Sequence, residues 1–173
     1  MASFRTFSPC PLLSPVPVVL VSCRGTAPGA KPNLLTVAWA GTVNSNPPMV
    51  SISVRKERYS YAMLKESGEF VINLVDDAHC RALDYCGVKS GRNVDKWAET
   101  GLTPMPADGL TLAPAVAESP AYLSCKVKQV IPLGSHDLFL AQIVSVAAQE
   151  RFFAPDGSLH LEAAHLVSYT HGV

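Results

Sequence analysis

The sequence predicts a mainly β protein, a closed antiparallel barrel with a few short helices on its outside. Three observations predict it. Segments alternating apolar and polar residues recur along the chain, most plainly Met49–Arg55 (MVSISVR). Turn-forming clusters separate them, such as Asn44-Ser45-Asn46-Pro47-Pro48 and Pro155-Asp156-Gly157-Ser158. Helical spacing is confined to short runs, unlike the regular strand–helix alternation of a parallel sheet.

Taken in order, residues 1–14 hold two prolines and three serines and read as a lead-in, with one domain over 15–173. Two prolines open the apolar segment Pro15–Cys23 and β-branched valines fill it, so Val16–Cys23 reads as a buried strand. No small-residue cleavage site follows it, which argues against a signal peptide. Leu34–Val43 (LLTVAWAGTV) reads as a second strand, and Met49–Arg55 as a half-buried third. Tyr59–Ser67 then places Tyr61, Leu64 and Lys65 at helical spacing and ends at Ser67-Gly68. Phe70–Val75 returns to strand. Asp76–Cys86 reads as a helix capped by Asp76 or Asp77 and stopped by Gly87.

Ser90-Gly91-Arg92 opens a loop, and Val94–Glu99 reads as a short helix. Gly101–Ala117 is rich in Gly, Pro and Ala and reads as an irregular excursion. Ala121–Ile131 and Leu138–Ala147 are long alternating segments joined by Pro132–Asp137, the pattern of an antiparallel hairpin or corner.

Composition narrows the function. Hydrophobic residues make up 48% of the 173 and charged residues 16%, enough for one packed core and too apolar for a disordered chain. Lys+Arg and Asp+Glu number 14 each, which argues against a broad basic surface for nucleic acid. No apolar run reaches the length of a membrane-spanning helix, so no membrane partner is expected. The five cysteines form no CxxC pair, so reduced thiols in a cytoplasm are expected, without a disulfide framework or metal site.

Chemistry concentrates in three segments. At Ser53–Ser60 (SVRKERYS) a strand ends and a helix begins among Arg55, Lys56, Arg58 and the Ser60 hydroxyl. Unpaired backbone N–H groups at a helix start attract anions, and phosphate suits this mixture of charged and neutral donors. A capped helix with a solvated basic turn accounts for the same residues. Ser90–Lys96 (SGRNVDK) joins a flexible Gly91 to Arg92 and Lys96, with Asp95 placed to orient either cation. A loop tied by its own ion pairs is the alternative. In Asn33–Trp39 (NLLTVAW) an aromatic beside small residues can wall a flat ring, although strand tryptophans are more often core. No catalytic triad emerges. His136, His160, His165 and His171 lack partner spacing and read as surface or packing residues. There is no GxGxxG or P-loop.

In order and spacing these pieces resemble the flavin reductase-like family, and within it the flavoredoxin branch. The matching elements are Val18–Ser22, Asn33–Trp39, Pro47-Pro48 followed by Val50–Ser53, Arg58-Tyr59-Ser60, Glu66–Asn73 and Ser90–Lys96. The resemblance implies a Greek-key, FMN-binding split barrel, usually a homodimer with FMN near the subunit interface. It implies that Trp39 and the backbone of Thr36, Val37 and Ala38 lie by the isoalloxazine. Ser51, Ser53 and Arg55 would run alongside, and Arg58, Ser60 and Lys96 would hold the phosphate. Ser90, Gly91 and Arg92 would complete the pocket. The family often carries Thr where this chain has Ser60, which keeps the hydroxyl. Relatives commonly continue past the position of Val173 with an aromatic, glycine-rich tail, a departure expected to bear on the dimer and on access to one flavin face.

The implied activity is electron transfer, as a flavin reductase or flavoredoxin, with NAD(P)H or a redox protein as donor. No side chain need act as acid or base, because the cofactor carries the chemistry. A non-catalytic FMN-binding or redox-sensing module is the alternative. An oxidase of the pyridoxamine phosphate oxidase-like barrels ranks last, since no substrate-side basic cluster is evident.

Overall fold

The computed structural model describes residues 2–171. Residues 2–14 carry no helix or strand. The chain then runs through β1 (Val16–Pro17), β2 (Val19–Cys23), β3 (Asn33–Val37), β4 (Ala40–Ser45) and β5 (Pro48–Arg55). Helix α1 (Tyr59–Ser67) and β6 (Glu69–Asn73) follow, then α2 (Cys80–Val88) and α3 (Lys96–Thr100). The short β7 (Pro104–Met105) and β8 (Ala115–Val116) pair with each other. The long β9 (Ala121–Pro132) and β10 (His136–Ala148) form a hairpin, and β11 (Ser168–Tyr169) returns to pair with β1.

Seven strands form one antiparallel sheet in the order β3-β2-β6-β9-β10-β5-β4. Its two edge strands, β3 and β4, are consecutive in the chain, with only Ala38 and Trp39 between them. The three Cα–Cα steps from Val37 to Ala40 span at most about 11 Å, so the sheet must curl until its edges approach each other. The outcome is an antiparallel Greek-key split barrel whose slit lies at Ala38-Trp39. There the Trp39 carbonyl accepts from Ser53 N–H at 2.9 Å.

The inner faces of this barrel meet in one core, including Val21, Leu35, Ile52, Phe70 and Phe139, with Leu64 of α1 packed against them. Each such side chain contributes about 1.5–3 kcal/mol by leaving water. Along β5 the alternation is strict: Val50, Ile52 and Val54 point inward, which leaves Ser51, Ser53 and Arg55 on the outer face. A second cluster, built on Leu20, Leu34, Leu83 and Trp97, seats α2 and α3 against the outside of β2 and β3.

Several element boundaries differ from the sequence reading; the strand expected at Phe70–Val75, for one, is Glu69–Asn73. Val16–Cys23 is interrupted at Val18, because β1 leaves the main sheet to pair with β11. Leu34–Val43 is two strands, because the chain crosses there from one sheet edge to the other. The Asp76 carboxylate accepts from His79 N–H at 3.2 Å and caps a 3-10 turn, and α2 continues through Gly87 to Val88 rather than stopping there. Helix α3 begins at Lys96, with Asp95 as its N-cap accepting from Ala98 N–H at 3.3 Å. The irregular 101–117 excursion is anchored by two buried side chains. Glu69 accepts from Thr111 and Leu112 N–H at 3.0 and 2.9 Å, and Asn73 Oδ1 accepts from Val116 N–H at 2.8 Å. Among the described residues no helix is long and apolar enough to cross a membrane.

Candidate functional site

The outer face of β5 and the free edge of β3 flank the barrel slit. On that edge alternate backbone N–H and C=O groups have no neighbouring strand to pair with. A cleft of about 160 Å³ lies between Leu35–Trp39 and Ser53–Arg55, with His136 at its rim. It opens into a second cavity of about 370 Å³ between the start of α1 and the Ser90–Arg92 loop. Leu35, Arg55 and Arg58 line both, so the two are one groove.

Trp39 forms the wall at one end. It is 38% exposed and so is not a core residue. Its ring stacks on His136 with centroids 4.5 Å apart, and its Nε1 donates to His171 Nε2 at 3.3 Å. The antiparallel register sets His136 opposite Arg55. Burial first, and the Arg55 charge second, push the His136 imidazole below its ordinary range and favour the neutral ring. Thr36 offers this wall its backbone only, because its hydroxyl donates to the Leu83 carbonyl of α2 at 2.5 Å.

The other end is a cationic cradle. Helix α1 follows Arg58, whose backbone is extended and whose side chain caps nothing, and the first turn holds no acidic residue. The Tyr61 N–H is taken by the Arg58 carbonyl at 3.0 Å, and no Arg58 side-chain cap serves the first-turn N–H groups at the positive end of the helix dipole. Arg58 Nη1 reaches the Gly87 carbonyl at 3.4 Å. Ser60 is buried, and its Oγ accepts from Asn33 Nδ2 at 2.8 Å. Ser90 turns the facing loop, accepting on Oγ from Arg92 N–H at 3.3 Å. Gly91 is required by close approach: a Cβ there would collide with Asn33 Oδ1 and come within 2.7 Å of Tyr59 Cδ1.

The donor set here consists of helix N–H groups, a hydroxyl and guanidinium groups. It matches an anion with several oxygen acceptors, and phosphate fits it. Lys96 lines the same cavity but is committed elsewhere as well. Its Nζ donates to the carbonyls of Leu34 at 2.8 Å and Cys86 at 2.7 Å, leaving one N–H.

The structure thus brings Thr36, Val37, Ala38, Trp39, Ser53, Arg55, Arg58, Ser60, Ser90, Gly91, Arg92 and Lys96 to one groove. Ser51 lies just outside it, in an adjoining apolar cavity of about 350 Å³ behind Trp39 that Leu13 and His171 help to line. Lys56 turns away to Asp137, 3.3 Å distant. Asp95 pairs with Lys31 at 3.4 Å rather than with Lys96 or Arg92. His136, which by sequence reads as a surface or packing histidine, also lines the groove, as do Asn33 and Tyr59, which stand in the motif segments without an assigned role. The pairing of β10 with β5 carries His136 to this wall, and no local spacing encodes that.

A family model, the flavin reductase like domain, matches residues 13–161. This chain belongs to the flavin reductase-like family. Within the family it falls in the flavoredoxin branch. It is 32% identical to the flavoredoxin of Desulfovibrio vulgaris (Miyazaki F), with a TM-score of 0.89 over 97% of this chain and 88% of that one. An uncharacterized protein of Archaeoglobus fulgidus is 27% identical over 70% of this chain and 68% of its own length. Another, from Aeropyrum pernix, is 30% identical over 68% of this chain, which spans 45% of that relative. Membership makes a flavin the cofactor class of this flavin reductase-like chain.

Proposed function

We propose that this chain binds FMN in the slit groove and works as an electron-transfer flavoprotein of the flavin reductase or flavoredoxin type. The observation that carries the reading is the continuity of a flat-walled cleft at Trp39 with an uncapped, cation-rich helix start at Arg58. Trp39, the backbone of Thr36–Ala38 and the outer face of β5 would flank the isoalloxazine. Arg58, Ser60, Lys96 and the first turn of α1 would hold the phosphate, with Ser90, Gly91 and Arg92 closing the pocket.

When bound, FMN supplies the capacity to accept a hydride or single electrons and pass them on. The protein's part is to orient the ring, hold its phosphate and exclude water from one face. The donor is NAD(P)H or a redox protein. A homodimer is part of this reading, supported by the exposed apolar side chains of Trp39, at 38%, and of Val43 on the edge strand β4, at 49%. The five free cysteines agree with a reducing, cytoplasmic setting.

The test is anaerobic addition of NADH, NADPH or a reduced redox protein to FMN-loaded protein. Loss of the oxidised flavin band with any of these, and its return with an acceptor, is the expected result. A flavin inert to all of them would favour the non-catalytic binding or sensing module.

A further inference from the structure

The 101–117 excursion takes no part in the slit groove, yet it encloses a cavity of about 350 Å³ against Arg24 and Pro32. No residue lining this cavity lines the groove. Pro32, Pro104, Pro106 and Pro114 frame it, and each proline fixes its own φ, so the frame has little backbone freedom. Pairing of β7 with β8 ties Pro104 to Val116 and Met105 to Ala115. Ser22 Oγ of β2 donates to the Pro114 carbonyl. The fold itself therefore holds the space open.

Two polar side chains line the cavity, Arg24 and Thr111. Thr111 is committed, since its hydroxyl donates to Glu69 at 3.3 Å and its N–H to the same carboxylate at 3.0 Å. Glu69 does not line the cavity, and Leu112 N–H engages it too, at 2.9 Å. Arg24 is different. Its Nε donates to the Ala30 carbonyl at 2.7 Å, which sets the guanidinium plane. Among the described residues its terminal nitrogens meet no acceptor, and it forms no ion pair. Met105, Leu110 and Leu112 give the hollow an apolar lining. Small-molecule sites commonly combine such a lining with a few placed polar groups. A guanidinium with free terminal N–H groups pairs best with a carboxylate, through two parallel hydrogen bonds.

We propose that this cavity is a second ligand site, which takes a small monocarboxylate with an apolar body. The carboxylate would rest on Arg24, and the body would pack against Met105, Leu110 and Leu112. A neutral apolar molecule forgoes the guanidinium, and inorganic phosphate forgoes the apolar lining. The site stands apart from the flavin reading, because the two spaces share no residue.

The experiment follows backbone amide shifts by NMR while hexanoate or 1-hexanol is added to the purified protein, with and without saturating FMN. Hexanoate is expected to give saturable shifts at the Met105, Leu110 and Leu112 amides, unchanged by FMN. Hexanol should bind more weakly. Arg24→Gln is expected to weaken hexanoate by about tenfold or more and to leave hexanol nearly unaltered. Leu110→Trp, which keeps Arg24 and its bond to Ala30, should fill the hollow and weaken both probes. Absence of saturable shifts at those amides would overturn the proposal. So would hexanoate shifts confined to Arg58–Ser60 and Ser90–Lys96 and abolished by FMN, which would place the probe in the groove. Wild-type hexanoate affinity in either variant would overturn it as well.

Discussion

Lys96, the first residue of α3, donates from its ammonium to the Leu34 carbonyl of β3 at 2.8 Å, while a second proton goes to Cys86 of α2 at 2.7 Å. One buried cation therefore ties three elements together behind the groove. Replacing it with methionine leaves both carbonyls without that partner. Lys96→Met is expected to lose about 2–5 kcal/mol of stability in chemical denaturation. An unchanged unfolding midpoint would mean that these hydrogen bonds contribute nothing net.

Because Lys96 is structural as well, Arg58 and Ser60 are the sharper probes of phosphate binding. Arg58→Ala removes a guanidinium and Ser60→Ala a hydroxyl from the uncapped start of α1. Each is expected to weaken FMN by about 1–3 kcal/mol, roughly tenfold or more, in a fluorescence titration. Riboflavin, which has no phosphate, should bind the wild type and both variants alike. A parallel loss for FMN and riboflavin would point to general damage and contradict a phosphate role.

Trp39 stands at the slit, 38% exposed and stacked on His136. Trp39→Ala is expected to change stability by about 1 kcal/mol or less. The absorption envelope or potential of the bound flavin should shift. A variant that loses stability but leaves the flavin spectrum untouched would make Trp39 a packing residue.

Alkali should act through the buried thiols. Burial pushes Cys23 and Cys86 up to about 11 and Cys125 up to about 12, against an unfolded value of 9.0. The folded chain keeps these protons after the unfolded chain has begun to release them. The stability they confer is whole below about pH 9 and is lost towards about pH 11–12. Lys96, held below its ordinary value first by burial, acts in the opposite sense. Cys125→Ala isolates the thiol effect. Its urea midpoint should fall less steeply above pH 9 than that of the wild type, and identical slopes would refute the assignment.

Much of this was legible in the chain. Met49–Arg55 alternates cleanly, so its outward residues could be named before any pairing was known. Tyr59–Ser67 is helical over the residues its spacing marks, ending at Gly68 with a positive φ of 63°. What local pattern could not carry was closure. Nothing in LLTVAWAGTV marks Ala38-Trp39 as a crossing between sheet edges, because that break is imposed by the curling of the whole sheet. Trp39 read as probable core by residue type, yet that same crossing puts it at the slit. His136 reaches the groove by the long-range pairing of β10 with β5, and the burial of Lys96 depends on carbonyls from two other elements.

The most direct measurement is an absorption spectrum of the purified protein after incubation with FMN and desalting. The account predicts bands near about 370 and 450 nm that persist through the column, in the shape of a flavin held by a protein environment. A colourless protein that takes up no FMN would contradict it, and the basic turn at Arg58 and the Ser90–Lys96 loop would then be ordinary helix ends.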